Sequence, residues 1–224
     1  VTFSIVARSP DARLHGVAIA SSSPAVAARC ARARAGAGAV ATQNITDPAL
    51  GPHILEALSR GATAEAALAQ AVASTPFAAY RQLAVLGREG APAVYSGAQA
   101  LGITATVVGQ DAAAAGNLLS HHGIPSVMLT AFEHSAGHLG ARLLGALRAA
   151  VEHGGEAGPI HSAGLLIVRE VDWPIVDLRV DWTEGDPVAE LDSIWQLYAP
   201  QIEAYVQRAL DPTRAPSFGV PGDP

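Results

Sequence analysis

Thr2-Phe3-Ser4-Ile5-Val6-Ala7-Arg8, the turn residues Ser9-Pro10-Asp11, and Gly16-Val17-Ala18-Ile19-Ala20-Ser21 decide how the rest of the chain is read. The first run alternates, with Phe3 and Ile5 on one face and Ser4 on the other, as a half-buried strand does. The second is apolar on both faces and reads as a return strand inside the molecule. Working outward, a third short strand is expected at 39–43, after Gly36 and Gly38. Residues 25–35, small and dotted with Arg29, Arg32 and Arg34, take no assignment. A helix over 52–60 has Pro52 near its first turn and Gly61 just past its end, and Thr63 is placed to cap a second over 64–72. Residues 82–87 and 92–97 make a hairpin around Arg88-Glu89-Gly90, and 103–109 is a further β-rich run. Helices are expected at 125–132 and 139–152, strands at 163–169 and 175–180, and a last helix at 188–210, broken at Pro200. This order of strands, helices, strands, helices, strands and helix is too blocky for βαβ alternation. It predicts an α+β class, with helix layers on largely antiparallel sheets. A single domain over 1–210 is followed by a Pro-rich tail over 211–224.

Composition narrows the function. Of 224 residues, 50% are hydrophobic and 15% charged, so the chain can build a sizeable core and is not intrinsically disordered. Fourteen bases against twenty acids give a net charge of −6, and aromatic residues are 5%. Nucleic acid and anionic membrane are therefore poor partners, since neither phosphate neutralisation nor base stacking is provided for. The lone Cys30 offers neither an internal disulfide nor a zinc-ligand set. No lysine occurs, which excludes Schiff-base chemistry within the subunit, and phosphate-cradling glycine motifs are absent. The reading expects a cytoplasmic protein with a small-molecule substrate, no organic or metal cofactor, and a tendency to form homo-oligomers.

Thr2 is the residue with unusual chemical potential. A threonine hydroxyl is a poor nucleophile unless a base takes its proton, and an α-amine on the same residue, titrating near ~7.7–8.0, can do so. That requires Thr2 to be the first residue. Met128 is the only methionine, and Val1 stands where an initiator would. The expectation adopted is an alternative start codon whose initiator methionine is removed before Thr2. The plainer reading is that Thr2 is a β-branched residue beginning a strand.

The two opening strands, with Ala25-Val26, the run 33–43, Gly51, Arg81-Gln82, Ser96-Gly97, Gly116-Asn117-Leu118-Leu119, Ser162-Ala163, Asp177-Leu178-Arg179-Val180-Asp181 and Asp186-Pro187, resemble the DUF1028 family, uncharacterised proteins of the Ntn-hydrolase superfamily. The resemblance spans residues 2 to about 191. It implies a four-layer αββα sandwich of two mainly antiparallel sheets, with the N-terminal residue at the end of a central strand. Thr2 is then the catalytic nucleophile. Departures from the family pattern fall at Ser22, where a basic residue is usual, at Arg32, at Gly158-Pro159, at His161 in place of Gln, and at Trp182.

Acyl transfer needs donors for the developing oxyanion. Asn117, beside Gly116, is the first candidate and Gln43 the second. Ser21, Gln43, Gln82 and His161 are candidates for substrate binding or for orienting the amine. Each also reads simply as a polar side chain satisfying backbone at a strand end. His134 and His138 are spaced i,i+4 but lack the His-Glu-x-x-His order, so they are read as capping or surface residues and no metal is expected. Residues 160–164 resemble a nucleophile elbow, yet no histidine follows His161 to complete a triad. Two functions are carried forward. One is an N-terminal-nucleophile amidohydrolase cleaving a small amide or related C–N bond through a threonyl acyl-enzyme. The other is a catalytically inactive small-molecule-binding or assembly module on the same fold.

Overall fold

In the structure, a computed structural model describing residues 2–220, β1 (Thr2–Arg8) and β2 (His15–Ser21) form a buried antiparallel hairpin, with Phe3 opposite Ala20 and Ile5 opposite Ala18. Every residue of both strands is buried, as their apolar composition requires. β2 pairs onward with β9 (Ser162–Val168), and β9 with β10 (Val176–Val180). On its other side β1 pairs with β8 (Ala112–Asn117), which pairs with β7 (Ala105–Val108). The first sheet therefore runs β10-β9-β2-β1-β8-β7 and is wholly antiparallel. The second, also antiparallel, runs β3 (Ala31–Arg34), β4 (Gly38–Asn44), β5 (Arg81–Gly87), β6 (Ala93–Ser96).

Period-two alternation divides the core into three layers. Phe3, Ile5 and Ala7 point to one face of the first sheet and pack with Met128 and Phe132 of α4 (Ile124–Glu133), Leu143 and Leu147 of α5 (Leu139–Glu152), and Trp195 of α6 (Pro187–Tyr198). Val6, Val17 and Ile19 point the other way, into a layer shared with Ala39, Ala41, Ala84 and Leu86 of the second sheet. Val40, Leu83 and Val85 on the outer face of the second sheet meet Ile54 and Leu58 of α2 (Leu50–Ser59) and Leu68 of α3 (Ala64–Ser74). The result is helices, sheet, sheet, helices. Each fully buried large apolar side chain contributes about 1.5–3 kcal/mol, so all three layers hold the sandwich together.

Thr63 caps α3 as expected, its hydroxyl accepting from the Ala66 N–H at 3.1 Å. The last helix is interrupted at Pro200 and resumes as α7 (Ile202–Leu210).

Two segments differ from the reading of the sequence. Residues 112–117 give no strand signal, because four consecutive alanines followed by glycine favour helix or loop locally. They form β8 because β1 and β7 satisfy their backbone on both sides. The unassigned 25–35 stretch holds a short α1 (Val26–Cys30) and the edge strand β3. α1 sits on Gly164, where an added Cβ would lie 2.3 Å from that of Ala27.

The Pro-rich segment makes a short turn at Pro212–Arg214, and the Arg208 guanidinium lies 3.7 Å from the Phe218 ring centroid. Val1 and residues 221–224, which the sequence reading places at the start of the domain and in its tail, lie outside the described residues. Among the described residues no helix is long and apolar enough to cross a membrane.

Candidate active site at the end of the central strand

Thr2, Ser21 and Asn117 stand at the same end of the first sheet. Thr2 is directly opposite Asn117 in the β1–β8 register, and its hydroxyl donates to Ser21 Oγ at 3.2 Å. Alternation places all three side chains on the face toward the second sheet, at the end where the apolar layer of Val6, Val17 and Ile19 gives out. Thr2 is 5% exposed, and Ser21 and Asn117 are fully buried. Ser21 Oγ is also 3.0 Å from Ser23 Oγ and accepts from the Ser23 N–H at 3.0 Å, so the Thr2 partner is fixed by its own loop.

The second sheet contributes a buried amide relay. Ser4 Oγ donates to Gln43 Oε1 at 2.6 Å, Gln43 Nε2 to Gln82 Oε1 at 2.8 Å, and Asn117 Nδ2 to the same Gln82 oxygen at 3.1 Å. Gln82 Nε2 donates to the Gly116 carbonyl at 2.9 Å and to Ser96 Oγ at 2.7 Å. The Gly116 carbonyl is an acceptor only, and this fixes every amide orientation in the chain of bonds. Gln82 must present its nitrogen to Gly116, hence its oxygen to Gln43 and Asn117. Asn117 must spend one N–H on Gln82, which turns its Oδ1 away. That oxygen is buried and has no hydrogen-bond partner among the described residues. A buried acceptor left unpaired costs roughly 1–3 kcal/mol, and this one, on the residue opposite Thr2, is placed to receive an N–H.

His161 reaches the group through its backbone. Its N–H donates to the Ser21 carbonyl at 2.9 Å, its Nδ1 is 2.8 Å from the Thr183 carbonyl, and its ring stacks on Trp182 at 4.3 Å and 13°. Of the sequence candidates, then, Thr2, Ser21, Gln43, Gln82 and Asn117 come together as side chains, while His161 forms the edge.

Glu156 is not legible in the sequence as a site residue. It lies on the segment between α5 and β9, bridged to Leu119, and is 4% exposed. Burial pushes its carboxyl up to about 7, against the pull of Ser22, which acts through its hydroxyl and backbone, and of the His161 charge. Neither oxygen meets a hydrogen-bond donor in good geometry among the described residues. A glutamate in a Gly-Gly-Glu-Ala-Gly loop reads as solvated, and only the tertiary packing shows otherwise.

DUF1028, described as a family of unknown function, matches residues 2–191. The chain belongs to the DUF1028 family. A crystal structure of another DUF1028 protein, from Silicibacter pomeroyi, superimposes with a TM-score of 0.83 at 29% identity, covering 91% of this chain and 94% of that one. The chain is also similar to the Anbu ancestral beta-subunit of Yersinia bercovieri, with a TM-score of 0.40 at 12% identity, covering 91% and 97%. No curated protein matches the sequence.

Elsewhere in this DUF1028 chain the remaining motifs have structural employment. His138 caps α5, accepting from the Gly140 N–H at 3.0 Å, and His134 Nδ1 is 2.8 Å from the Thr130 carbonyl. Ser162 of the elbow-like segment donates to the Ser23 carbonyl at 2.6 Å. No group of three or more metal-ligating side chains occurs among the described residues. Burial raises the pKa of the Cys30 thiol, which keeps it protonated and unreactive. Four surface hollows of about 340 to 500 Å³ are lined by residues away from Thr2.

Proposed function

We propose that this DUF1028 protein is an N-terminal-nucleophile hydrolase of the Ntn superfamily, cleaving a small amide or related C–N bond. The observation that carries the reading is the setting of Thr2. It is a hydroxyl residue at the end of a central strand, held by Ser21 and opposite a buried amide whose oxygen has no hydrogen-bond partner among the described residues. In a chain beginning at Thr2, the α-amine takes the proton from Oγ as Oγ attacks the substrate carbonyl. Asn117 Oδ1 accepts an N–H of that amine and keeps its lone pair aimed at the hydroxyl. The second Asn117 N–H and backbone N–H groups donate to the oxyanion, a service worth about 10²–10³ in rate for one donor. The ammonium then protonates the leaving nitrogen, and water releases the acyl group from Thr2 Oγ. Gln43 and Gln82 keep Asn117 in this orientation. The test is amide hydrolysis by a chain beginning at Thr2 and by its Thr2→Ser and Thr2→Ala variants. Turnover by the unmutated chain and the Ser variant, and none by the Ala variant, is expected; equal rates in all three would refute the mechanism.

One observation favours the other reading, a binding or assembly module on the same fold. Thr2 is 5% exposed, which leaves its hydroxyl little open surface on which to meet a substrate. Intact mass separates the two: in a mature protein retaining residues before Thr2, the threonine nitrogen is tied up in a peptide bond and cannot serve as the base.

A further inference from the structure

The mechanism above leaves one group at this end of the sheet unused. Glu156 is more than nine-tenths buried, and neither carboxyl oxygen meets a donor in good hydrogen-bonding geometry among the described residues. Such a carboxyl is costly to retain, because ionising it without a partner opposes folding. Its place is set by backbone. Leu119, two residues beyond Asn117, bridges to it, and the Ala157 N–H donates to the Leu118 carbonyl at 2.9 Å. Gly155 lies against Phe3, since a Cβ there would be 3.5 Å from the Phe3 ring. Ser22, which acts on the carboxyl through its hydroxyl and backbone, follows the serine that holds the Thr2 hydroxyl. Glu156 therefore stands at the same end of the first sheet as Thr2, between Leu119, two residues beyond Asn117, and Ser22, one residue beyond Ser21.

We infer that Glu156 is the positioning residue for the α-amine of Thr2, its carboxylate accepting an N–H from the ammonium that forms when Oγ loses its proton. This rests on the proposed nucleophile role of Thr2. The proton balance closes without Glu156 taking a proton. It passes from Thr2 Oγ to the amine, is held there as ammonium opposite the carboxylate, and leaves on the departing nitrogen. None of the ion pairs among the described residues involves Glu156, which leaves the ammonium as the cation placed to meet this carboxyl. His161, which acts electrostatically on Glu156, and Glu184, 3.9 Å from His161 Nδ1, are titratable groups on the same side and stay unchanged in the variants below.

The experiment measures the α-amine pKa directly, by pH-dependent acylation of a chain beginning at Thr2, read by mass spectrometry. A nearby carboxylate stabilises ammonium, so Glu156→Gln should lower that pKa by about 1 unit, within the range for an opposite charge at close approach, and Glu156→Asp should restore part of it. A purely structural glutamate would leave it unmoved in a folded Gln variant, which overturns the assignment. Should the Gln variant fail to fold, the unmutated chain answers the same question. Acetylating the amine should raise the Glu156 pKa read by ¹³C carboxyl titration, and an unchanged value counts against the pairing. Neither readout needs turnover. A Glu156-dependent amine with no amide hydrolysis would sink the hydrolase reading alone, and Thr2-dependent hydrolysis with an indifferent amine would sink this inference alone.

Discussion

Asn117 and Gln82 share a hydrogen bond that crosses from one sheet to the other, Nδ2 to Oε1 at 3.1 Å, with both residues fully sealed from solvent. The candidate site is therefore not a feature of one strand. Thr2 is aligned by its own sheet, while the amide facing it is oriented by the second sheet through Gln82 and the Gly116 carbonyl. Relative motion of the two sheets would disturb both, and the buried relay opposes such motion with directional bonds that the alanine-rich layer beside it cannot supply.

Gln82→Leu should therefore be costly twice over. It strands Asn117 Nδ2 and Gln43 Nε2, each a buried group whose loss of partner costs about 1–3 kcal/mol, and removes the side-chain donor to the Gly116 carbonyl. Urea unfolding should show a fall of at least about 2 kcal/mol. Gln82→Glu keeps the acceptors for Asn117 and Gln43 but sets a buried carboxylate oxygen against the Gly116 carbonyl, and should be at least as costly as Leu. If the proposed hydrolysis holds, kcat should drop in both variants because Asn117 is freed to rotate. Stability indifferent to Gln82→Leu would show that the relay contributes nothing.

Why so much of this arrangement is legible in the sequence is a matter of local signal. The β1–β2 pair, the Thr63 cap and the break at Pro200 follow from periodicity and turn chemistry, and the structure has each of them. The α+β class follows from element order. β8 is illegible, because Ala112 to Ala115 carry no strand preference of their own and become a strand only through neighbours on both sides. Asn117 stands out for its chemistry, yet the strand that places it leaves no mark in the sequence. Glu156 escapes notice for a related reason. Burial of a charged residue is a tertiary fact, and a carboxylate flanked by glycine and alanine gives no local sign of it.

Gly38 marks where the second sheet admits no side chain. Its φ is +150°, and a Cβ there would lie 2.0 Å from the Leu86 carbonyl oxygen. The obstacle is backbone of the paired strand, which cannot swing aside without breaking the β4–β5 ladder. Gly38→Ala should cost about 4 kcal/mol or more, the range reserved for backbone strain combined with overpacking. Gly36→Ala, at φ +69° in open space, should cost only the left-handed strain of about 1–2 kcal/mol. Thermal melts of the two variants, side by side, test the difference.

Trp182 is half exposed yet ordered by two contacts, the stack on His161 and an Nε1–H bond to Glu184 at 3.0 Å. An exposed aromatic pair contributes about 0.5–1.5 kcal/mol, so Trp182→Ala should lower Tm only slightly. Its effect should fall on ligand binding at the His161 edge. On the proposed reading KM rises and kcat holds, measured on whichever amide a substrate screen returns. A collapse of kcat with KM unchanged would place Trp182 in the chemistry instead.

His15 and Glu156 should tilt stability in opposite directions with pH. Burial, aided by the charges of Arg8 and Arg88, pushes the His15 imidazole down to about 4, and neither ring nitrogen has a partner among the described residues. Unfolded, a histidine titrates near ~6.5. The unfolded chain therefore binds the proton first, and the stability His15 permits is full above ~6.5 and lost as pH falls toward 4, to a total on the order of 3 kcal/mol. Glu156 is the reverse. Its folded carboxyl is pushed up to about 7 against ~4.3 unfolded, so stability is full below ~4.3 and lost as pH rises to 7, by a similar order. Between pH ~4.5 and ~6.5 the two slopes oppose each other. Glu156→Gln should thus raise Tm at about pH 8 and change little at about pH 4, whereas His15→Leu should flatten the acid limb and leave the alkaline side nearly unaltered. Tm against pH for wild type and both variants settles it: three parallel curves would mean that neither group is held in its neutral form by the fold.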